Sequence, residues 1–142
     1  MSLPCGLSVR SRPDVFAVAA VVRRVALAHG GARTVAAAAA IAAAELAANI
    51  VRHAGGDGEV TVDVDGDDLT LCASDRGPGL ASPAELFRGS AACPRGRRSG
   101  GLGEGAASLL RLMDHVEARS TGAGLVVVCR KRLHAWARRS GR

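Results

Sequence analysis

The stretch ELAANIVRHAGGDGEVTVDVDGDDLTLCASDRGPG, residues 45–79, changes its hydrophobic period halfway and thereby indicates the fold. Before the glycine pair at 55–56, alanine-rich sequence with apolar residues at most positions is typical of a buried helix. After that pair, the valines of residues 60–64 alternate with polar residues, and the alternation resumes beyond the turn sequence DGDD at 65–68. Such alternation predicts a β-hairpin with one buried face.

Similar patterns on both sides of this stretch complete the predicted fold. Asp14 is the predicted N-cap of a first helix that ends at the glycine pair 30–31, and Thr34 is a candidate cap of the second. The remaining predicted elements are a short strand GLSVR (6–10), a helix GAASLLRLMDH (105–115) and a hairpin of VEARS (116–120) and LVVVCRKR (125–132). We therefore predict an α+β fold, a two-layer sandwich in which helices cover one face of a mostly antiparallel mixed sheet.

The charge distribution and the long apolar segment argue against two classes of protein, nucleic-acid-binding proteins and membrane proteins. The net charge of +6 lies wholly in residues 130–142, which hold six basic residues and no acid. A solvated terminus explains this tail more simply than a nucleic-acid site, because a DNA-binding domain would spread its charge over the fold. The apolar run 34–51 carries Glu45 and Asn49, so a buried helix is a better interpretation than a membrane span. No signal peptide is evident, and we expect a cytoplasmic protein that binds neither membrane nor nucleic acid.

The four cysteines give no sign of a metal site. Cys5, Cys72, Cys93 and Cys129 form no CxxC pair and have no histidine spacing that suggests zinc. Cys72 and Cys129 stand in apolar strand-like runs, which predicts that both are small core residues.

Glu45, Asn49 and His53 recur at intervals of four and therefore stack along one line of the second helix. An amide oxygen such as that of Asn49 is a hard neutral ligand suited to Mg²⁺ beside phosphate oxygens. A glutamate one turn away is a natural general base. The alternative is that all three are ordinary polar residues of an amphipathic helix, and this motif alone does not decide between the two.

Two glycine-rich segments add further candidate binding groups. In SDRGPG (74–79), a carboxylate at a strand end can accept a hydrogen bond from an exocyclic amine, and glycines let the backbone pass close to a flat ring. In SGGLGEG (99–105), backbone N–H groups ahead of a helix form a phosphate cradle. This second segment lacks the lysine of a P-loop and opens no parallel βαβ unit. Either segment alone is a weak signal.

Taken in order, ELAANIVRHA, DRGPG and GGLGEG resemble the N box and the two glycine boxes of the histidine-kinase-like ATPase superfamily. The resemblance covers about residues 8–131, so we expect residues 1–131 to form a single ATPase domain followed by a basic tail, 132–142. Within the superfamily, the chain is most similar to the small bacterial switch kinases and anti-sigma factors, which lack an attached phosphoacceptor domain.

The resemblance implies a set of residue roles. Glu45 falls on the general base, Asn49 on the Mg²⁺ ligand and Asp75 on the adenine-binding aspartate, and His53 is expected to pack near the nucleotide. The implied cofactors are ATP and Mg²⁺. The remaining nucleotide-binding positions implied by the two glycine boxes are Gly77, Gly79, Gly101, Leu102, Gly103 and Gly105.

The resemblance also implies an activity and partners. It implies ATP-dependent phosphorylation of a serine or threonine on a STAS-domain antagonist, in sigma-factor or stress regulation, with a sigma factor or a phosphatase as further partners and a homodimer as a candidate assembly. The alternative is an anti-sigma factor or docking module that sequesters its partner with weak or lost kinase activity. A DNA-binding role for the basic tail ranks lowest, because it leaves the ordered glycine boxes unexplained.

Three features bear on the choice between kinase and docking module. Leu125 stands where the family usually has a threonine that supports the adenine-binding aspartate, and Glu104 adds a carboxylate to the second glycine box. The expected lid, residues 80–100, contains Arg88, Arg95, Arg97 and Arg98. One of these arginines could stabilise charge during transfer, although for any single arginine a purely solubilising role is the simpler interpretation.

Overall fold

Five strands and three helices make up the part of the chain that the computed structural model describes, residues 4–54, 57–77, 102–122 and 124–134. The helices are α1 (Arg12–Ala28), α2 (Arg33–Ala54) and α3 (Leu102–Leu112). The strands are β1 (Cys5–Val9), β2 (Gly58–Asp65), β3 (Asp68–Asp75), β4 (His115–Thr121) and β5 (Gly124–Arg132).

The strands form one sheet in the order β1-β2-β3-β5-β4, and every pairing among them is antiparallel. Both predicted hairpins, β2–β3 and β4–β5, are present, and Gly66 in the first turn has a φ of 64°, a left-handed conformation that favours glycine. The last strand of the sequence, β5, lies between β3 and β4. The predicted α+β class is confirmed, with helices on one face of the sheet.

The boundaries of three helices differ from the prediction. Ser11, and not Asp14, is the N-cap of α1, and the Asp14 carboxylate accepts hydrogen bonds from the N–H groups of Arg10 (2.7 Å) and Ser11 (3.2 Å). This is the capping-box arrangement, in which the third helical residue bonds back to the cap. Helix α2 begins at Arg33, so Thr34 is helical, and α3 begins at Leu102, three residues before the predicted start.

The core lies between the sheet and the helices and is built largely from small side chains. In α2, five alanines are fully buried: Ala36, Ala39, Ala42, Ala43 and Ala47. A methyl side chain lets a helix backbone approach its neighbours closely, and interiors are packed to crystal-like density. Helix α2 accordingly packs against α1, α3 and the sheet. Although α2 is long and apolar enough to span a membrane by composition, it is the central helix of this core.

The two strand cysteines lie on opposite faces of the sheet. Cys129 is fully buried on the helix side, and burial raises the pKa of its thiol to about 12. Cys72 pairs with Val128 on the other face and is only half-buried. The prediction of a core role is therefore confirmed for Cys129 and wrong for Cys72, because adjacent strand residues alternate between faces.

Residues just beyond β5 form contacts with two loops of the domain. The fully buried Leu133 donates its N–H to the Asp67 carbonyl (2.7 Å), and its own carbonyl accepts a hydrogen bond from Ala32 N–H (3.4 Å). His134 Nδ1 contacts the Asp67 carboxylate. The packed part of the chain thus continues through His134 and connects the β2–β3 turn to the α1–α2 connection.

A large side chain in the alanine-rich core is expected to destabilise the protein. Ala43→Leu adds three carbon atoms to a fully buried position, which we expect to lower the free energy of unfolding by about 1–3 kcal/mol through overpacking. Ala37→Leu is the matched control, because Ala37 is exposed on the same helix and both residue types favour helices. Urea denaturation monitored by circular dichroism measures both, and equal midpoints would contradict the close-packing argument.

Candidate functional site

The Asp75 carboxylate, at the end of β3, is held by two backbone donors. Its Oδ1 accepts the N–H of Gly77 at 2.9 Å and the N–H of Leu125 at 3.3 Å. One donor comes from the segment after β3 and the other from the neighbouring strand β5. Asp75 is half-buried, and these two bonds fix the position of its carboxylate.

Gly124 approaches Asp75 so closely that no other residue fits there. A Cβ at Gly124 would lie 1.9 Å from the Asp75 carbonyl oxygen and 2.9 Å from Oδ1, and the φ of Gly124 is 149°. Both the space and the backbone conformation therefore require glycine. Gly124 is not among the residues that the sequence predicts for the site. One feature of the sequence could have indicated it: in TGAGL (121–125), Gly124 immediately precedes Leu125, the position compared with the family's threonine.

Asn49 is nine-tenths buried on α2, and its Oδ1 accepts a hydrogen bond from Arg52 Nη2 at 2.9 Å. Glu45, one turn earlier, is half-buried, and His53, one turn later, is exposed. Exposure therefore differs along the predicted line of polar residues: Glu45 is half-buried, Asn49 is buried, and His53 at the C-terminal end of α2 is exposed. Arg52 was not predicted as a site residue, although its spacing of three from Asn49 places it on the same side of the helix.

The C-terminal end of α2 lies beside the end of β3. Partial burial lowers the pKa of His53, the Arg52 guanidinium lowers it further, and the Asp75 carboxylate opposes both effects. His53 is therefore within electrostatic reach of Asp75. Gly58 of β2 lies between the two elements. A Cβ added to Gly58 would lie 2.8 Å from Ile50 Cγ2 of α2 and 2.6 Å from the Ser74 carbonyl oxygen of β3. The structure thus brings the Asn49 end of α2 and Asp75 to one end of the sheet.

The two glycine boxes are described only in part. Gly77 donates to Asp75, whereas Gly79 and Gly101 lie outside the described residues, as do the predicted lid arginines. Leu102, Gly103 and Gly105 form the first turn of α3, which packs on α2. The first N–H groups of a helix have no intrahelical partner and attract anions. This part of the second box is therefore a helix N-terminus rather than the loop that the sequence suggested.

The groups that could hold a metal ion are few. Within residues 4–54, 57–77, 102–122 and 124–134, no group of three or more His, Cys, Asp or Glu side chains has the arrangement of a metal site. The Asn49 amide oxygen has two lone pairs, and Arg52 uses one of them. Asn49 fits a Mg²⁺ ion whose other ligands are phosphate oxygens and water, which is how Mg²⁺ is commonly bound with nucleotides.

A polar cavity of about 460 Å³ borders Asp75. It is lined by Ser8, Glu59, Ser74, Asp75 and Arg76, among others, and includes no residue of α2. Arg76 Nη1 forms an exposed ion pair with Asp57 Oδ1 at 3.1 Å. Glu45, Asn49 and His53 do not line it, so this cavity shares Asp75 with the candidate site but none of its α2 residues.

Comparisons with known proteins identify the family and the fold of this chain. Residues 9–131 match the family model described as the histidine kinase-like ATPase domain. The crystal structure of the RsbU and RsbW domains of a Mycobacterium tuberculosis protein is similar, with a TM-score of 0.64 and 16% sequence identity over 93% of this chain and 33% of that chain. This chain therefore spans about a third of that chain, and the likeness concerns the fold. No curated protein matches the sequence. The family match covers most of the chain, which therefore belongs to the histidine kinase-like ATPase domain family.

Proposed function

We propose that the protein binds ATP with Mg²⁺ and transfers the γ-phosphoryl group to a serine or threonine of a STAS-domain antagonist, as a switch in sigma-factor or stress regulation. The observation that carries the proposal is the Asp75 carboxylate, fixed by Gly77 and Leu125 at the end of β3 and adjoining the polar end of α2. Membership of an ATPase family supports ATP use, and the likeness to a structure that contains an RsbW domain supports a switch role.

In this proposal, adenine binds at Asp75 and the phosphates bind near α3. The exocyclic amine of adenine donates a hydrogen bond to the Asp75 carboxylate, whose orientation the two backbone N–H groups maintain. Gly77 and Gly79 let the chain pass close to the ring. The N-terminal turn of α3, which contains Leu102, Gly103 and Gly105, would offer backbone N–H groups to the phosphate oxygens. Gly101, which precedes it in the sequence, is proposed to contribute to the same phosphate site.

Asn49 and Glu45 would serve the transfer step. Asn49 would hold Mg²⁺ through its amide oxygen, and the chemistry that the ion would supply there is neutralisation of charge on the phosphate oxygens. Glu45 lies one turn from Asn49 and is half-buried, so that an incoming hydroxyl can reach its carboxylate. A glutamate at this place can orient the hydroxyl and accept its proton. Asn49 would therefore act on the phosphate through Mg²⁺, and Glu45 would act on the acceptor hydroxyl.

The second candidate function is a docking module or anti-sigma factor with weak or lost kinase activity. Leu125 favours it, because its N–H reaches Asp75 but its side chain offers no hydroxyl to the aspartate. Under either function, we propose a cytoplasmic protein. The ATPase domain predicted as residues 1–131 extends through His134, because β5 ends at Arg132 and Leu133 is fully buried, so the proposed basic tail is 135–142 and not 132–142. A STAS-domain antagonist, a sigma factor or a phosphatase is the proposed class of partner.

Substitution of the adenine-binding carboxylate is expected to abolish tight nucleotide binding. Asp75→Asn should weaken the affinity for Mg²⁺-ATP at least about tenfold, because a charge-assisted hydrogen bond contributes about 1.5–3 kcal/mol. Asp65→Asn, an exposed carboxylate at the end of β2, is the matched control. Isothermal titration calorimetry measures all three proteins. Absence of wild-type binding at millimolar ATP would refute the nucleotide site.

Loss of the Glu45 carboxylate is expected to slow phosphoryl transfer without changing the affinity for ATP. Glu45→Gln should slow phosphoryl transfer by a factor of about 10²–10⁴ while the ATP affinity stays at the wild-type value. Transfer of radiolabelled phosphate to a panel of purified STAS-domain proteins measures the rate. If wild type binds ATP and a STAS protein but transfers no phosphate to any of them, the docking function replaces the kinase function.

Restoring a hydroxyl at position 125 is expected to tighten nucleotide binding. Leu125→Thr places a hydroxyl next to Asp75 and should improve ATP affinity about fivefold, the effect of roughly 1 kcal/mol for one added hydrogen bond. Leu125→Val has nearly the same shape as the threonine variant without the hydroxyl, so it is the control. Equal affinities of the two variants in calorimetric titration would show that the hydroxyl does not contribute.

A further inference from the structure

Thr121 is the last residue of β4, where the chain turns back into β5. It pairs directly with Gly124, so only residues 122 and 123 separate the two strands. Thr121 also lines the polar cavity that Asp75 borders, which places both residues at the same end of the sheet. The sequence does not predict Thr121 as a site residue, but the turn that it closes ends at the glycine that lies against Asp75.

The Thr121 hydroxyl binds both polar groups of the Gly124 backbone. Its Oγ1 donates a hydrogen bond to the Gly124 carbonyl oxygen at 3.0 Å and accepts one from the Gly124 N–H at 3.0 Å. A hydroxyl can do both at once, because it carries one donor hydrogen and two lone pairs. Glycine is the residue with the greatest backbone freedom. The two bonds therefore restrict the position in this turn that is otherwise least constrained.

One planar peptide group connects this hydroxyl to the Asp75 carboxylate. The carbonyl that accepts from Thr121 and the N–H that donates to Asp75 Oδ1 belong to the same peptide bond, between Gly124 and Leu125. That bond is trans, so its C=O and N–H are coplanar and point in opposite directions. A hydroxyl that holds the carbonyl therefore also sets the direction of the N–H.

Of the two backbone bonds to Asp75, the bond from Leu125 is the more sensitive to a small movement. Its N···O distance of 3.3 Å is at the long end for N–H···O hydrogen bonds, whereas the bond from Gly77 has the usual length of 2.9 Å. Rotation of the peptide plane would bend the longer bond, and hydrogen bonds weaken steeply as they bend. The second donor to Asp75 therefore depends on the Thr121 hydroxyl.

We propose that Thr121 is a positioning residue that sets the preference of the nucleotide site for adenine. The inference rests on the proposed function, in which the adenine amine donates a hydrogen bond to the Asp75 carboxylate. In the described part of the chain, both backbone donors bond Oδ1 of this carboxylate, and Oδ2 is the oxygen proposed to accept the amine. With both donors in place, the carboxylate does not turn and Oδ2 keeps one direction.

The preference follows from the group that each purine presents to this carboxylate. Adenine presents an amine, which donates a hydrogen bond, whereas hypoxanthine has a carbonyl oxygen at the same ring carbon. A fixed carboxylate accepts from the amine and repels the oxygen, so one group both favours adenine and rejects the alternative. A carboxylate that can turn loses part of the amine bond and avoids part of the repulsion. Loss of the Thr121 hydroxyl should therefore lower the affinity for ATP more than the affinity for inosine triphosphate.

A substitution that removes only the hydroxyl tests this preference. Thr121→Val keeps the branched shape and should raise the Kd for ATP about fivefold, whereas the Kd for inosine triphosphate should stay within about twofold of wild type. Thr121→Ser keeps the hydroxyl and should restore the ATP affinity. Thr70→Val, the same change at a half-buried residue of β3, is the matched control and should alter neither affinity. Displacement of a fluorescent ATP analogue measures both nucleotides.

Nuclear magnetic resonance of the nucleotide-free protein tests the peptide connection without any ligand. In Thr121→Val, the amide proton of Leu125 should shift upfield and exchange with solvent at least about tenfold faster, because exchange reports the local loss of a hydrogen bond. The amide of Leu71, in the middle of β3, should keep its wild-type exchange rate. Thr121→Ser should restore the Leu125 amide, and Thr121→Ala should behave as Thr121→Val does.

The outcomes separate this inference from the proposed function. A wild type that binds ATP, together with a Thr121→Val variant that keeps the wild-type ratio of the two affinities, would overturn the inference alone. An equal loss of affinity for both nucleotides, or a Leu125 amide that the substitution does not change, would do the same, since Thr121 would then only support the turn. A wild type that binds neither nucleotide at millimolar concentration would overturn the proposed function and the adenine preference together. Circular dichroism melting shows that each variant is folded.

Discussion

The close approach between the backbone of Gly124 and Asp75 is the contact on which the candidate site depends. The absence of a side chain at Gly124 lets β5 lie against the end of β3, and the next N–H, that of Leu125, then reaches the Asp75 carboxylate. A larger residue would push the two strands apart at this point and remove one of the two donors. A backbone constraint therefore determines where the carboxylate of the proposed nucleotide site lies.

The alanine-rich helix α2 makes the second contribution. Because its buried face consists mainly of methyl groups, α2 packs closely against α1, α3 and the sheet. Its C-terminal part places Ile50 beside Gly58, which pairs with Asp75. The polar residues of α2 thereby arrive at the same end of the sheet as Asp75. One helix thus provides both a large part of the core and the groups proposed to act on phosphate and acceptor.

The elements that are local in sequence could be predicted from it. The alternation in residues 59–75 specified a hairpin, and the helical lengths and the two-layer arrangement followed from periodicity. The errors arose where neighbouring signals compete. Ser11 and Asp14 are both good caps, and the choice depends on the reciprocal bonds of the first turn. Likewise, Cys72 and Cys129 have similar apolar surroundings in sequence, but strand parity places them on opposite faces.

Contacts between residues distant in sequence could not be predicted in this way. The bond from Leu125 to Asp75 joins residues 50 positions apart, and only the pairing of β3 with β5 brings them together. The bond between Arg52 and Asn49 is local, but its importance depends on the burial of the amide, which periodicity does not reveal. The roles assigned to the site residues stay predictions, whereas the proximity of the C-terminal part of α2 to the end of β3 is structural.

The position of β5 inside the sheet has a consequence for synthesis on the ribosome. The chain emerges from the N-terminus, so β1, β2 and β3 can pair early, but β3 keeps an open edge until residues 124–132 have left the exit tunnel. Leu133 and Asp67 meet later still. An exposed strand edge is prone to pair with other chains, and non-local pairing is slow. The nascent protein therefore carries an unprotected central strand until almost the whole domain has been translated.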